Sequence, residues 1–307
     1  MTAMNRRTFL GTASTVTAAT FLTKRFAFAA GHGVDNVGVQ LYTVRDAIAK
    51  DFDGSLAKVA AVGYKNVELA GFAFDGGVVT YFGKSPKDMR AALDSHGLVA
   101  PSTHVNYTSL APENFPKVLE ASKTLGHKYI VNPWVEEEIR NSPDGWQHVT
   151  ETFNRVGAAC KKAGVQFAYH NHWFEFLPVN GKLPYDILLT GCDPKLVKME
   201  LDLCWITAAG ADPVTYFDRY PGRFPLVHVK DLKKIPQVTT GGAQNFGDTV
   251  DLTEVGSGII DWKRLFSHGG KAGIKYYIVE HDHPVAPFDS IKTSFEYMEK
   301  TSSERVS

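Results

Sequence analysis

The sequence predicts a single α/β domain, a (β/α)8 barrel, and three observations predict it. Eight short, nearly continuous apolar runs recur between residues 37 and 280, each separated from the next by a polar turn and a helical segment. The runs are apolar throughout rather than alternating, as in parallel strands covered on both faces. A chain of 307 residues with 44% hydrophobic and 21% charged content suits one large domain, and eight βα units at this length suggest closure into a barrel. A doubly wound open sheet is the alternative, although no GxGxxG follows the first run.

Val37 to Tyr42 is the first run, followed by a helix face from Leu56 to Val62 that stops at Gly63. Asn66 to Ala70 is the second. Ser85-Pro86 places an N-cap residue before a proline at the first helical position, and Gly97 ends that helix. Leu98 to Val105 is the third run, and a helix from about Pro112 to Leu125 ends at Gly126 before the fourth, Tyr129 to Asn132. A long helix, Gly145 to Ala163, precedes the fifth run, Val165 to Asn171. A short helix near Tyr185 leads to the sixth, Leu196 to Leu203. Phe224 to Lys230 is the seventh, and a helix from Asp261 to about Lys271 precedes the eighth, Tyr276 to Glu280. The connection Leu232 to Ile260 is long for a βα loop and reads either as a lid over the mouth or as an unstructured excursion.

A barrel carries its chemistry at the C-terminal ends of its strands. Those ends hold Gln40 and Tyr42, Glu68, His104, Asn132, His170 with His172, Glu200 with Asp202, His228 with Lys230, and Glu280. Buried strands do not end this often in ionisable groups unless the groups are paired or bind a metal. His170, Asp202, His228 and Glu280, from strands 5 to 8, form a candidate divalent-cation site. The FAYHNHWFEF stretch, Phe167 to Phe176, is the densest part. Alternation puts His170 and His172 on one face, where they either share a metal or satisfy neighbouring groups.

The other strand-end residues carry paired readings. Glu175 either orients a histidine or is a solvated carboxylate. Lys230 either polarises a substrate oxygen or pairs with Asp231. His104 is expected to contact substrate, as are Gln40, Tyr42, Glu68, Asn132 and Trp205, while Glu200 and Asp231 support the ligands from behind. Trp205, Trp134 and Tyr42 form a sugar platform or simply pack. His281 and His283, which follow Glu280, are either extra site groups or outside the site; His96, His127, His148 and His268 read as surface histidines. Cys160, Cys192 and Cys204 are odd in number, lack metal spacing and read as small core residues.

The segments Gly164 to Asn171 (GVQFAYHN), Leu201-Asp202, Val227 to Asp231 (VHVKD), Gly256 to Trp262 (GSGIIDW) and Ile278 to Glu280 (IVE) resemble the xylose isomerase-like TIM barrels. This sugar phosphate isomerase/epimerase group includes tagatose and allulose epimerases, inosose dehydratase and endonuclease IV. The resemblance implies one divalent metal (Mn, Co, Zn, Fe or Mg) held at His170, Asp202, His228 and Glu280. Two departures stand out: His170 occupies the position of a family glutamate, and Trp205 that of the histidine in DxxH. With the YHNHxFEF pattern, these resemble an exported subgroup associated with 3-keto-glycosides. The implied chemistry is enolisation of a keto-sugar, ending in isomerisation, epimerisation, or β-elimination and hydration. His170, His172, Glu280 and Lys230 are then the catalytic candidates. A ketose 3-epimerase or aldose–ketose isomerase is the alternative, and a non-catalytic sugar-binding barrel is the alternative of another class.

The N-terminus reads as a twin-arginine-type export signal over residues 1–29, with the barrel domain over 30–307. Asn5-Arg6-Arg7-Thr8-Phe9-Leu10 precedes an uncharged stretch from Gly11 to Leu22, and Ala27-Phe28-Ala29 supplies a cleavage site. The expectation is a periplasmic protein that uses the twin-arginine machinery and keeps no stable membrane anchor. Removing Arg6, Arg7, Lys24 and Arg25 changes the balance from 33 basic and 33 acidic residues to 29 against 33, a net of −4. That balance argues against nucleic-acid binding and leaves a small-molecule sugar or keto-glycoside as the expected partner. A homo-oligomer is compatible with this composition.

Overall fold

The computed structural model describes residues 34–142, 144–236 and 246–303. The expected signal segment therefore lies outside the described residues. Eight parallel strands close a barrel: β1 (Val37–Gln40), β2 (Asn66–Leu69), β3 (Val99–His104), β4 (Tyr129–Asn132), β5 (Gln166–His170), β6 (Val197–Asp202), β7 (Leu226–Val229) and β8 (Tyr276–Val279). They pair in sequence order, and β8 returns to β1 with Val37 opposite Tyr277. This closure excludes the open doubly wound sheet.

The strand period places the site. Tyr129 and Val131 of β4, Ala168 of β5, Leu226 of β7, and Tyr276 and Ile278 of β8 pack together inside the barrel. Side chains alternate along a strand, so the next inward position lies two residues on. Those positions are His170 after Ala168, His228 after Leu226, and Glu280 after Ile278. The apolar plug thus becomes a layer of ionisable groups at the C-terminal end. A larger apolar cluster fills the space between the strands and the helices outside them.

Several boundaries differ from expectation. Tyr42 is not on a strand; it lies in a 3-10 turn, Leu41–Val44, capped by the Gln40 side chain. The helix expected from Leu56 starts at Phe52, where the Asp51 carboxylate accepts from the Gly54 N–H. The helix expected from Pro112 starts at Phe115, after a 3-10 turn at Tyr107–Leu110. The helix expected over Asp261 to Lys271 is two pieces, Trp262–Ser267 and Gly269–Ala272.

Sequence reading missed a hairpin, Phe72–Asp75 with Val78–Tyr81, and a C-terminal helix, Pro287–Ser303. The hairpin turn is Gly76-Gly77, both with positive φ, which only glycine adopts cheaply. His127 is not a surface histidine. It lies buried beneath the hairpin with its ring edge-on to Tyr81, and burial pushes its pKa down to about 3. Cys160, Cys192 and Cys204 are buried free thiols.

Candidate active site

A cavity of about 650 Å³ opens at the C-terminal mouth, and every strand or its following loop contributes to its wall. Beneath its floor, which His104, His170, Lys230 and Glu280 line, lies the fully buried His228. His228 Nε2 lies 2.7 Å from Glu68 Oε2, and Nδ1 lies 2.7 Å from Glu280 Oε2. His104 stacks on the His228 ring, and its Nε2 lies 2.9 Å from both Glu68 Oε2 and Glu200 Oε2. Gln40 donates to Glu68 Oε2 at 2.8 Å and accepts from the Tyr42 N–H, so it braces the floor and turns the chain at once.

Asp202 ends β6 and caps the next helix, its Oδ1 accepting from the Cys204 and Trp205 N–H groups. That cap leaves Oδ2 facing the floor, 3.8 Å from His170 Nε2. Asn171 fixes the start of this turn by accepting from the Asp202 N–H. Lys230 is also buried. It does not pair with Asp231; its ammonium lies 2.7 Å from Glu280, 3.1 Å from Asp202 and 3.0 Å from Asp282. Asp282 was missed by sequence reading, though it lies two residues beyond Glu280.

Protonation follows from these contacts. Burial opposes charge on His228, but Glu200 and Glu280 outweigh it and hold the imidazole well above its usual range. Burial also works against His104, whose carboxylate neighbours Glu68 and Glu200 raise it to about 9. Glu280 is held low by Lys230 and His228 despite its burial. Burial raises Asp202 against the pull of Lys230. His170 and His172 go the other way: burial first, then the His228 charge for His170 and the Lys230 charge for His172, hold both well below the usual range. The site therefore presents two charged imidazoles, His228 and His104, and two neutral ones, His170 and His172, beside a buried ammonium.

Among the described residues, two donor groups could hold a cation: His104, His170, Glu200 and His228, and Asp202, His228 and Glu280. Within each, the ligating atoms lie within 4.8 Å of one another. They share His228, and together they contain the quartet expected from the sequence. Among the described residues, the buried Glu68 Oε1 and Glu200 Oε1 make no hydrogen bond, while Asp202 Oδ2 and His170 Nδ1 have only ionic neighbours, Lys230 at 3.1 Å and Glu200 at 3.3 Å. Mixed imidazole and carboxylate donors with free lone pairs fit a divalent transition metal or magnesium.

The remaining candidates separate. His172 lines the cavity, its ring 5.0 Å from that of His170, stacked on Phe174 and edge-on to Trp134. Glu175 is not a solvated surface carboxylate. It is fully buried, receives the Tyr169 hydroxyl, and accepts from the His172 N–H at 2.9 Å, so it fixes His172 through the backbone. Asn132 does not line the cavity: it follows the inward Val131 by one residue, faces the other way and donates to the Val105 carbonyl. Asp231 is a tether, accepting from the N–H groups of Gly256 and Gly258 and from Trp262 Nε1. Tyr42 and Trp205 line the cavity. So does His283, which contacts Arg45, whereas His281 accepts from the His283 N–H.

Part of the long connection folds over the site. Residues 246–252 pack through Phe246, Val250 and Leu252 against Trp173 and Trp205; residues 237–245 lie outside the described set. Trp173 and the hairpin residue Phe72 line the cavity as well. The hairpin could have been read from its Gly-Gly turn, whereas Trp173 follows no strand period that marks it.

A (β/α)8 barrel with a cluster of imidazoles and carboxylates at its C-terminal mouth defines the class. The chain belongs to the xylose isomerase-like TIM barrel family, whose sequence profile matches residues 56–301. It is similar to the inosose dehydratase of Lacticaseibacillus casei, 23% identical over 281 residues, covering 81% of this chain and 89% of that protein. A sugar phosphate isomerase/epimerase from Parabacteroides distasonis is 26% identical with a TM-score of 0.69, covering 85% of this chain and 94% of that one. A xylose isomerase-like TIM barrel protein from Mycobacterium smegmatis, solved in complex with magnesium, shares the fold at 13% identity and a TM-score of 0.63, with 89% and 98% coverage.

Proposed function

We propose that this protein is a divalent-metal-dependent enzyme that enolises a keto-sugar, with β-elimination on a 3-keto-glycoside as the favoured outcome. The observation that carries this reading is the meeting, in one cavity, of the neutral imidazole of His172, the buried ammonium of Lys230 and the shared metal-donor groups. The relatives named as inosose dehydratases and as a sugar phosphate isomerase/epimerase support a sugar-directed lyase or isomerase.

His170, Asp202, His228 and Glu280 would hold the metal, with Glu200 and His104 adjacent. When bound there, a divalent cation supplies Lewis-acid polarisation of the substrate carbonyl. His172, kept neutral by burial and Lys230, takes the proton α to that carbonyl. Glu175 holds the His172 backbone so that its ring stays over the cavity. Lys230 donates toward the oxygen on which negative charge develops. For a 3-keto-glycoside, the C2–H bond breaks, a C1–C2 double bond forms and the C1–O bond breaks. The proton held by His172 then passes to the departing oxygen. Epimerisation at C3 of a ketose needs two opposed carboxylate bases, and His170 occupies one of those positions.

His228 touches both donor groups, so His228→Ala should abolish stoichiometric metal binding and lower turnover of a 3-keto-glycoside by at least about 10²-fold. Wild-type metal content together with wild-type turnover in this variant would refute the reading.

We also propose that residues 1–29 direct twin-arginine export and are removed in the periplasm, supported by Arg6-Arg7 and the Ala27-Phe28-Ala29 site. Mass spectrometry of the protein from a periplasmic fraction tests this. A mature N-terminus at Ala30 is expected, and an intact Met1 terminus confined to the cytoplasm would overturn it.

A further inference from the structure

The floor and the wall of the cavity differ in chemistry. Ionisable groups make the floor, and the rim adds the aromatic side chains of Tyr42, Phe72, Trp134 and Trp173, together with Asn106, Glu136 and Asp248. Trp134 and Trp173, in the loops after β4 and β5, and Trp205, in the helix after β6, each contact the His172 ring. The Trp173 and Trp205 ring centroids are 5.0 Å apart, and Val250 and Leu252 close the same side. Trp134 is 37% exposed at the mouth, a large apolar surface left facing open space. Trp205 is 5% exposed, and among the described residues its Nε1 donor has no hydrogen-bond partner.

A cavity of about 650 Å³ is in the range of sites for drug-sized ligands, and a single hexose is small for it. The indoles of Trp134 and Trp173 line the cavity along with the floor groups, so a sugar ring held at the floor leaves space beside them. A second sugar could also stack on an indole and meet Glu136 or Asp248 with its hydroxyl groups, but it would set others against the apolar side made by Trp173, Trp205, Val250 and Leu252. A flat apolar group would stack on the indoles and leave Trp205 Nε1 free to donate to the linking oxygen.

We propose that the Trp134–Trp173–Trp205 wall is a subsite for a planar, apolar aglycone, so that the substrate class is an aromatic glycoside rather than a free sugar or a disaccharide. This rests on the keto-sugar reading above and adds the group beyond the ring. Residues 246–252 set the width of the subsite. A Cβ on Gly247 would lie 2.4 Å from the Trp173 ring, so a side chain at that position forces the indole to move.

The test uses the metal-loaded full-length chain. Methyl glucoside, phenyl glucoside and cellobiose serve as non-reacting ligands titrated by tryptophan fluorescence, and their 3-keto derivatives serve for turnover. Phenyl glucoside should bind at least tenfold tighter than methyl glucoside, with cellobiose no tighter than methyl. Gly247→Val and Trp173→Ala, each confirmed folded by circular dichroism, should both lose most of the phenyl preference, so that one misfolded variant leaves the other decisive. Phenyl and methyl ligands within twofold of each other, cellobiose tighter than phenyl, or a preference untouched in both variants would overturn the subsite. A phenyl preference in binding without turnover of any keto derivative would keep the subsite and reject enolisation. Equal binding of methyl and phenyl glucosides, together with turnover of their keto derivatives, would reject the subsite and keep enolisation.

Discussion

Lys230 Nζ lies 2.7 Å from Glu280 Oε2, and both residues are buried at the end of adjacent strands. The same ammonium reaches Asp202 and Asp282, so one positive charge holds three carboxylates in place. Removing it leaves buried negative charges uncompensated. Lys230→Met should lower stability in urea denaturation by about 3 kcal/mol and reduce kcat by about 10²-fold or more. Wild-type kcat in the folded variant would remove Lys230 from the chemistry.

Metal donors that come from separate strands tie the barrel rim together, so ligand binding adds to stability by mass action. Chelation of the metal-loaded protein should lower Tm, and adding back Mn, Co, Zn, Fe or Mg should restore it. In Glu200→Gln and Asp202→Asn, both at strand β6, the metal-dependent part of that shift should shrink. Thermal unfolding with and without chelator measures it.

Asp231 accepts from Gly256, Gly258 and the Trp262 indole, and so anchors the return of the long connection to the barrel. Asp231→Ala strands several buried donors at once, with an expected cost of at least about 3 kcal/mol. Hydrogen exchange should accelerate across 246–262 before it changes in the strands. Uniform acceleration throughout the barrel would show that the tether has no local role.

Glu175 supplies the pH dependence. Burial raises its pKa to about 7, against the hydrogen bonds from Tyr169 and the His172 backbone and the more distant Arg140 charge; Tyr185 is the other ionisable group facing it. Because the folded value lies above the unfolded one, the folded state binds this proton more tightly. The associated stability is present in full below about pH 4.5 and is lost as pH rises through about 7. Glu175→Gln removes the titration. The stability of wild type relative to this variant should therefore fall between pH 5 and pH 8, by an amount on the order of 3 kcal/mol. A constant difference across that range would contradict the assignment.

The barrel was legible because each strand reads as an apolar run of fixed type, and the floor because strand ends carry ionisable residues at period two. His170, Asp202, His228 and Glu280 converge for that reason. Periodicity places a side chain on a face but does not reveal its partners. Hence Lys230 was left open between a substrate oxygen and its neighbour Asp231, with Asp282 unseen, and Glu175 between a surface and an orienting role. Asn132 shows the same limit by one residue, since a shift of one position turns a side chain from the cavity to the helix layer. The aromatic wall was partly visible in Trp134 and Trp205. Trp173 and Leu252 join it through loops whose course no local pattern dictates.

The most direct test of enolisation is proton exchange followed by NMR in D2O, on the metal-loaded mature protein with free ketoses and 3-keto-glycosides. Deuterium should enter α to the carbonyl of the 3-keto-glycosides, or the aglycone should be released, and both should disappear in His172→Ala. Exchange at C3 of a free ketose alone would assign the protein as an epimerase. No exchange with any substrate at full metal loading would contradict enolisation and leave a sugar-binding barrel.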